Sequence, residues 1–167
     1  ISKSLIMEIE CKVDFIKPRA KKLKRCLIAE QALTDDNYIL VPTSSKLAKI
    51  AEKDYEINVL FIVGCSIQKF PSGIINLFPN LKQLVISYSN LTEFSYDDVK
   101  ELKELQLINL QGNKIRHADE NLLKLPKLFV LIYNSNQIST ISKTFFLRLE
   151  NRKFTLDLEG NPNFDYI

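Results

Sequence analysis

Few side chains of this 167-residue chain are of the types that catalyse reactions or hold metals. It has one histidine, His117, and three cysteines, at positions 11, 26 and 65. An active site needs acid, base or nucleophilic groups that converge, and a zinc site needs a second cysteine or histidine pair. The acidic residues between 97 and 104 are interpreted as a solvated surface, and the four glycines lack the spacing of a phosphate-binding loop. The sequence therefore predicts no enzyme, no metal and no cofactor.

The strongest charge pattern is a basic segment near the N-terminus. Residues 1–50 hold 10 Lys/Arg against 6 Asp/Glu, whereas the rest of the chain holds 13 against 14. The first interpretation is a solvated hairpin loop; binding of anions, such as sulfated glycans or acidic protein patches, and nuclear targeting are the alternatives. No aromatic residues that could stack on bases alternate with the basic ones, which disfavours nucleic-acid binding. The anion-binding candidates are Lys17, Arg19, Lys21, Lys22, Lys24 and Arg25.

A repeated pattern organises the rest of the chain. Leu105 to Ile115 reads L-x-x-L-x-L-x-x-N-x-I, with apolar residues at positions 1, 4, 6 and 11 and asparagine at position 9. The same template starts at Ile57, Leu81 and Leu128, and residues 156–161 form a fifth, partial copy. Successive position-9 residues are 24, 24, 23 and 25 residues apart. They are Cys65, Ser89, Asn113, Asn136 and Asn161.

This pattern resembles the leucine-rich repeat of the 24-residue class found in extracellular proteins. Residues 57–80 match that class best, with Phe70-Pro71, Gly73 and Phe78-Pro-Asn80 in place. The resemblance implies an α/β solenoid, with a curved parallel sheet on its concave side and short helices and turns on its convex side. We expect a single structural domain, in which residues 1–56 form a β-rich cap and residues 57–167 form about five repeats.

The position-9 side chains have a structural task in such a fold. The chain leaves the strand there, and its backbone groups turn inward without a strand to pair with. A buried amide can donate and accept hydrogen bonds at once, so Asn113, Asn136 and Asn161 can satisfy those groups. Ser89 and the small thiol of Cys65 can do so only in part.

The other two cysteines precede the first repeat, where the apolar end of a solenoid must be covered. Residues 8–15 alternate polar and apolar side chains, and residues 26–29 and 38–42 are short apolar runs, so all three segments are predicted strands. A disulfide between Cys11 and Cys26 would tie a two-stranded flap, as is common in secreted proteins. The alternative is two reduced core cysteines in a cytosolic protein.

The convex side and the C-terminal end carry weaker signals. Ser95 and Asp98 form a predicted capping box for a helix through Leu102, and Asp119 is predicted to cap a similar turn that ends by Pro126. No cysteine cap follows Asn161, so the last strand is lightly covered. Either a cap lies beyond this sequence or another chain covers that edge, for example by dimerisation.

Protein binding through the concave face is the predicted function. Positions 3 and 5 of the repeats point outward there, and they are unusually apolar, which is typical of an interface. The alternative is that the N-terminal flap, or the curve itself, covers this ridge. The predicted partner-binding residues are Val59, Phe61, Val85, Tyr88, Leu107, Asn109, Val130 and Ile132.

The whole chain is similar to small secreted leucine-rich repeat proteins of insects, which implies a secreted or cell-surface protein that binds other proteins, in recognition or innate immunity. Asn90-Leu91-Thr92 is an acceptor sequence for N-glycosylation, consistent with secretion. No apolar run reaches the roughly 18 residues of a membrane span, and Ile1 to Met7 is too short for a signal peptide. An intracellular adaptor and an anion-binding protein remain the alternatives.

Overall fold

The computed structural model describes residues 7–16, 22–30, 32–33, 38–42, 56–67, 70, 73, 77–162 and 165–166. Twelve strands lie in this part of the chain. They are β1 (Met7–Ile16), β2 (Leu23–Ala29), β3 (Ala32–Leu33), β4 (Tyr38–Pro42), β5 (Ile57–Val63), β6 (Ser66–Ile67), β7 (Gln83–Ser87), β8 (Leu107–Asn109), β9 (Val130–Ile132), β10 (Thr140–Ile141), β11 (Thr155–Asp157) and β12 (Asp165–Tyr166).

Eight of these strands form one sheet in the order β11-β9-β8-β7-β5-β2-β1-β4. From β2 to β11 all neighbours are parallel, whereas β1 is antiparallel to β2 and parallel to β4. The strands of successive repeats therefore lie side by side in chain order, as the repeat pattern predicted. The predicted strands at 8–15, 26–29 and 38–42 correspond to β1, β2 and β4.

The register of the sheet follows the repeat positions. Leu60 pairs with Leu84, Leu84 with Ile108, and Ile108 with Leu131, so equivalent position-4 residues lie next to each other. All four are fully buried, and so are the position-6 side chains Ile62, Ile86, Leu110 and Tyr133. Burying each such side chain contributes roughly 1.5–3 kcal/mol. The apolar faces of β5, β7, β8 and β9 are thus covered by the strands beside them and by the convex layer.

The convex layer is built from short segments rather than long helices. Position 14 contributes Phe70 and Phe94, whose rings meet edge to face with centroids 4.9 Å apart, and the buried Ala118 and Ile141. The layer includes the helices Tyr96–Val99 and Lys143–Leu149 and a 3₁₀-helix at Glu120–Lys124. Two-residue strands pair in parallel on the descending side, β3 with β6 and β10 with β12.

The predicted capping residues hold these segments, but one helix is shorter than predicted. The Asp98 carboxylate accepts hydrogen bonds from the backbone N–H and the hydroxyl of Ser95, yet the helix ends at Val99 and not at Leu102. The Asp119 carboxylate accepts from the N–H of Asn121 at 2.9 Å, at the start of the 3₁₀-helix. Burial raises the pKa of the Asp98 carboxyl, against the effect of the Ser95 hydrogen bonds.

The N-terminal cap is fastened by a disulfide between Cys11 of β1 and Cys26 of β2, whose Cα atoms are 5.6 Å apart. Both cysteines are fully buried and belong to the same core as the repeats. The predicted tie is therefore confirmed, and Cys65 remains a buried free thiol. A cross-link between adjacent strands restricts the unfolded chain and so stabilises the cap.

Strand β2 has the register of a repeat strand. It pairs with β5 so that Cys26 lies beside Leu60 and Ile28 beside Ile62, which puts Cys26 at position 4 and Ile28 at position 6. The turn that follows also has the repeat geometry, with a left-handed residue at position 8. The position-8 residues with positive φ are Glu30, Gly64, Tyr88, Gly112, Ser135 and Gly160.

Candidate protein-binding surface

Two sets of hydrogen bonds hold the ends of the strands in place. In the first, the position-8 N–H donates to the position-7 carbonyl of the next repeat. The pairs are Glu30 to Val63, Gly64 to Ser87, Tyr88 to Gln111, Gly112 to Asn134 and Ser135 to Glu159, at 2.8–3.1 Å. Each turn is therefore bonded to the next one along the solenoid, and the outward residues that precede it are fixed in position.

The second set runs through the position-9 side chains. Asn113 accepts from the N–H groups of Ser89 and Leu91 and donates to the carbonyls of Ile86 and Leu110, at 2.7–3.2 Å. Asn136 accepts from the N–H of Ile115 at 3.0 Å.

The remaining position-9 residues continue this network. Asn161 repeats the arrangement by accepting from Ile138 at 3.0 Å, and Ser89 accepts from the N–H of Cys65 at 3.1 Å. The Cys65 thiol contacts the carbonyl of Ile28 at 3.7 Å. The network thus reaches from the fifth repeat back to β2.

The concave face consists of two parallel rows of side chains on the side of the sheet opposite the core. Cross-strand pairing places equivalent positions next to one another in each row. The position-3 row is Arg25, Val59, Gln83, Leu107, Val130 and Thr155, and the position-5 row is Leu27, Phe61, Val85, Asn109, Ile132 and Asp157.

Two of the predicted partner-binding residues are not exposed. Val59 is 0% exposed and Val85 is 9% exposed, so the expectation that they face solvent is wrong. Val59 lies between the longer side chains of Arg25 and Gln83 in its row, and Val85 lies between Phe61 and Asn109. A short branched side chain between longer neighbours is covered by them. These two valines are therefore buried members of the rows and do not offer binding area themselves.

The other apolar members of the rows remain half-buried. They are Phe61, Leu107, Val130 and Ile132, together with Leu27 of the cap, which pairs with Phe61. The sequence interpretation missed Leu27 and Arg25 as parts of this face. The available signal was the match of residues 23–33 to the repeat template, with Leu23, Cys26, Ile28 and Leu33 at positions 1, 4, 6 and 11.

Tyr88 and Asn109 form a polar patch beside the apolar rows. Tyr88 is 58% exposed, and its hydroxyl accepts a hydrogen bond from the Gln111 side chain at 2.9 Å. The Asn109 side chain accepts from the N–H of Gln111 at 2.9 Å. A Cβ on Gly112 would lie 2.4 Å from the Tyr88 ring, so the ring rests directly on that glycine. The tyrosine is therefore held in one place despite its exposure.

Charges differ between the two ends of the concave face. At the cap end, Arg25 donates two hydrogen bonds to Asp14 at 2.6 and 2.8 Å, and its guanidinium lies 4.8 Å from the centre of the Phe61 ring. The ion pair lowers the pKa of Asp14 and raises that of Arg25, although burial opposes both changes. At the other end Asp157 is the last member of the position-5 row and Glu159 follows at position 7, so this end is negatively charged.

Part of the basic segment lies in a strand. Lys17, Arg19 and Lys21 lie outside the described residues. Leu23, Lys24 and Arg25 belong to β2, which corrects the prediction of a hairpin loop through residue 25. Lys24 pairs with Glu56 at 2.9 Å, and Arg25 pairs with Asp14. Lys22 lies 3.9 Å from the centre of the Phe15 ring. Two of the six anion-binding candidates thus already have carboxylate partners.

A hollow of about 450 Å³ opens on the convex side, and no sequence pattern predicted it. His117, an exposed residue, is one of its lining residues and forms an isolated parallel β-bridge with Thr140 of β10. The carboxylates of Asp98 and Asp119 are engaged in capping hydrogen bonds there. The hollow is lined by Thr92, Glu93, Phe94, Ser95, Asp98, Arg116, His117 and Asp119.

Membrane-spanning and metal-binding features were not evident in the sequence, and the described residues bear on both. They contain no helix long and apolar enough to cross a membrane. In the same part of the chain, no group of three or more His, Cys, Asp or Glu side chains is arranged to hold a metal ion.

Comparisons with known proteins agree with the repeat pattern. Residues 56–115 match the model of the leucine rich repeat family. Among solved structures, the crystal structure of an internalin from Listeria monocytogenes matches with a TM-score of 0.51 and 23% sequence identity. The match covers 77% of this chain and 36% of that internalin, so the chain spans about a third of its length. At this identity the likeness shows the fold alone. The family match over residues 56–115 and the likeness to a solved structure together show that the chain has the fold of a leucine-rich repeat solenoid.

Proposed function

We propose that this protein is a non-enzymatic binding module that holds a protein partner on its concave face, in an extracellular setting. Leucine-rich repeat domains generally mediate protein–protein interactions, which supports a protein as the ligand. The main support for the proposal is a group of four half-buried apolar side chains in the two rows, on the sheet face opposite the core. They are Phe61, Leu107, Val130 and Ile132. Apolar side chains grouped on a surface are typical of interfaces.

The surroundings of these side chains fit the anatomy of an interface. Interfaces combine an apolar centre with a polar rim, and aromatic residues are enriched among those that dominate the binding energy. Tyr88 and Asn109 provide hydrogen-bonding groups next to the apolar side chains, and Val59 and Val85 are buried within the rows. The rim at the far end is acidic through Asp157 and Glu159.

The extracellular setting is supported by the disulfide Cys11–Cys26. Disulfides form and persist in oxidising compartments and are rare in the cytosol. A thiol count under denaturing conditions tests this part separately. We expect one reactive thiol, from Cys65, in protein taken from its source; three would indicate a reducing compartment and the intracellular alternative.

Matched substitutions on opposite faces test the binding surface. Phe61→Asp and Ile132→Asp each place a charge among the apolar rows, whereas Leu147→Asp makes the same change on the convex helix, where Leu147 is 60% exposed. Immobilised wild-type protein and each variant are incubated with extracellular fluid of the source organism, and retained proteins are identified by mass spectrometry. We expect one set of partners on the wild type and on Leu147→Asp that is lost from the two concave variants.

Melting curves of all four proteins accompany the capture experiment, because a charge in a core would unfold the chain. Half-buried positions tolerate the charge, so the melting temperatures should differ by only a few degrees. Unchanged capture by folded Phe61→Asp and Ile132→Asp would place the partner on another face. Loss of folding in both variants would show that the apolar rows belong to the core.

A further inference from the structure

We propose that Asn90 is an N-glycosylation site and that its glycan projects from the descending flank of the solenoid, beside the concave face. The proposal rests on the extracellular setting of the proposed function. The acceptor sequence Asn-X-Ser/Thr is necessary for this modification, and Asn90-Leu91-Thr92 is the only such sequence in the 167 residues. What the structure adds is the orientation of both acceptor residues.

Alternation along the chain points the Asn90 side chain to solvent. Its neighbours Ser89 and Leu91, at positions 9 and 11, are 0% and 2% exposed because both face the core. Asn90 itself, at position 10, is exposed, and so is Thr92. A glycan on the Asn90 amide nitrogen would therefore extend into water without displacing any packed side chain.

The other position-10 residues show that the whole flank is open to solvent. In the five repeats from Ile57 onward these residues are exposed, and together they form the position-10 flank. Its members are Ser66, Asn90, Lys114, Gln137 and Pro162. A backbone hydrogen bond holds the flank at this point, since the N–H of Lys114 donates to the carbonyl of Leu91, the residue after Asn90, at 2.8 Å. The flank is thus a rigid, hydrated surface that can carry a bulky group.

The local backbone at Asn90 also suits the modification. Asn90 has a φ of +59°, a left-handed conformation that asparagine adopts more readily than most residues. Among the side-chain hydrogen bonds of the described residues, none involves Asn90 or Thr92. Thr92 also lines the hollow on the convex side. Within the described part of the chain, neither acceptor side chain would have to give up a hydrogen bond.

Conservative and disruptive changes at Thr92 provide a matched test. The chain is fused behind a secretion leader and expressed in a eukaryotic cell line, and peptide N-glycosidase treatment is followed by electrophoresis and peptide mass mapping. We expect one removable glycan on the wild type and on Thr92→Ser, which keeps the acceptor sequence. We expect none on Thr92→Ala or Asn90→Gln, which destroy it. The melting temperatures of the enzyme-treated wild type, Thr92→Ser and Thr92→Ala should agree, whereas Asn90→Gln should melt slightly lower because glutamine adopts the left-handed backbone of residue 90 less readily.

An engineered site on the same flank serves as the positive control. Gln137→Asn creates a second acceptor sequence with Ile138 and Ser139, at the equivalent position of a later repeat. We expect this variant to carry two glycans. A wild-type chain that contains the Cys11–Cys26 disulfide but no glycan would overturn the proposal. Glycosylation of residue 137 in its variant would then show that the obstacle is local to Asn90.

The glycan result and the binding result are separable. Phe61→Asp leaves the acceptor sequence untouched, so it should be glycosylated like the wild type even when it captures no partner. Conversely, Thr92→Ala should retain its partners, because residues 90–92 lie outside the concave rows. If one proposal fails, the other is therefore still tested by its own measurement.

Discussion

Replacing Asn113 by alanine should destabilise the protein more than any substitution on its surface. The Asn113 side chain is 5% exposed and joins two neighbouring repeats. Its oxygen accepts from the N–H groups of Ser89 and Leu91, at 3.0 and 3.2 Å. Its nitrogen donates to the carbonyls of Ile86 and Leu110, at 2.7 and 2.9 Å. Alanine removes all of these bonds, and its methyl group cannot form hydrogen bonds with the backbone groups of the two turns.

The magnitude follows from the groups that lose a partner. The Leu110 carbonyl keeps a second donor, because the Asn136 side chain also donates to it at 2.8 Å. The two N–H groups and the Ile86 carbonyl each lose a bond, and a buried polar group without a partner costs roughly 1–3 kcal/mol. Partial entry of water reduces the sum, so we expect a loss of about 4 kcal/mol in the free energy of unfolding. For a chain of this length, that lowers the melting temperature by roughly 8–16 °C.

Chemical and thermal denaturation of three variants test this reasoning. Asn109→Ala is the matched control, because Asn109 is half-buried and accepts one hydrogen bond, from the N–H of Gln111 at 2.9 Å. On the concave face water can replace that bond, so a loss of about 1 kcal/mol or less is expected. Asn113→Ser should fall between the two alanine variants, since Ser89 occupies the equivalent position naturally and accepts from the N–H of Cys65.

The reasoning is refuted if Asn113→Ala lowers the melting temperature by less than about 2 °C, or by no more than Asn109→Ala does. Either result would mean that the position-9 amides do not satisfy the backbone of the turns. If Asn113→Ala does not fold, Asn113→Ser provides the test, because its smaller expected loss of stability keeps the chain folded.

Three further outcomes are expected. Cys11→Ser removes a cross-link over 15 residues and should lower the free energy of unfolding by about 3 kcal/mol in urea titrations; no change would show that the cap is stable without it. Because Arg25 lowers the pKa of Asp14 in the folded state, the pair stabilises the protein above the ordinary Asp pKa, and this is lost as pH falls through the lowered value. Asp14→Asn should therefore lose less free energy of unfolding than the wild type as the pH falls below about 4. An equal loss in both proteins would argue against the pair. Gly112→Ala should cost more stability than Gly64→Ala, because both need positive φ but only the first places a Cβ 2.4 Å from an aromatic ring; for Gly64 the nearest atom is at 3.7 Å. Equal losses would mean that the ring moves aside freely.

The core of the repeats could be predicted from the sequence because it depends on local geometry. Side chains alternate along a strand, so a residue at position 4 or 6 faces the core in every repeat, and its apolar character is required each time. The buried Leu84, Ile108 and Leu131 follow from that rule. The role of the position-9 asparagines could be predicted in the same way, since each turn presents the same unpaired backbone groups.

The exposure of the concave face could not be predicted in the same way. Whether a side chain there is covered depends on the length of its cross-strand neighbours, which lie about 24 residues away in sequence and, for Val59, in the cap. Val59 is covered between Arg25 and Gln83, whereas Ile132, an equally apolar residue, stays half-buried between Asn109 and Asp157. The helix at 96–99 is similarly limited by its neighbours, because the chain must return to the sheet at Leu105.

Strand β2 shows why a real repeat unit can be hidden in a sequence. Residues 23–33 fit the repeat template, but position 9 falls at Gln31, and the next position-9 residue, Cys65, comes 34 residues later, so the regular spacing fails. The added residues include β4, which crosses to the far side of β1. Only β1 and β4 lie beyond this unit at the cap end of the sheet.

This assignment explains how the cap is joined to the solenoid. Adjacent residues of β2 face opposite sides of the sheet, so Arg25 points to the concave face and Cys26 to the core. Arg25 forms the ion pair with Asp14 on one side, and Cys26 forms the disulfide with Cys11 on the other. Strand β1 is thus fastened to the first repeat unit through both faces of the sheet. Because Arg25 also lies over the Phe61 ring, a substitution in the cap should alter the binding surface as well as the stability.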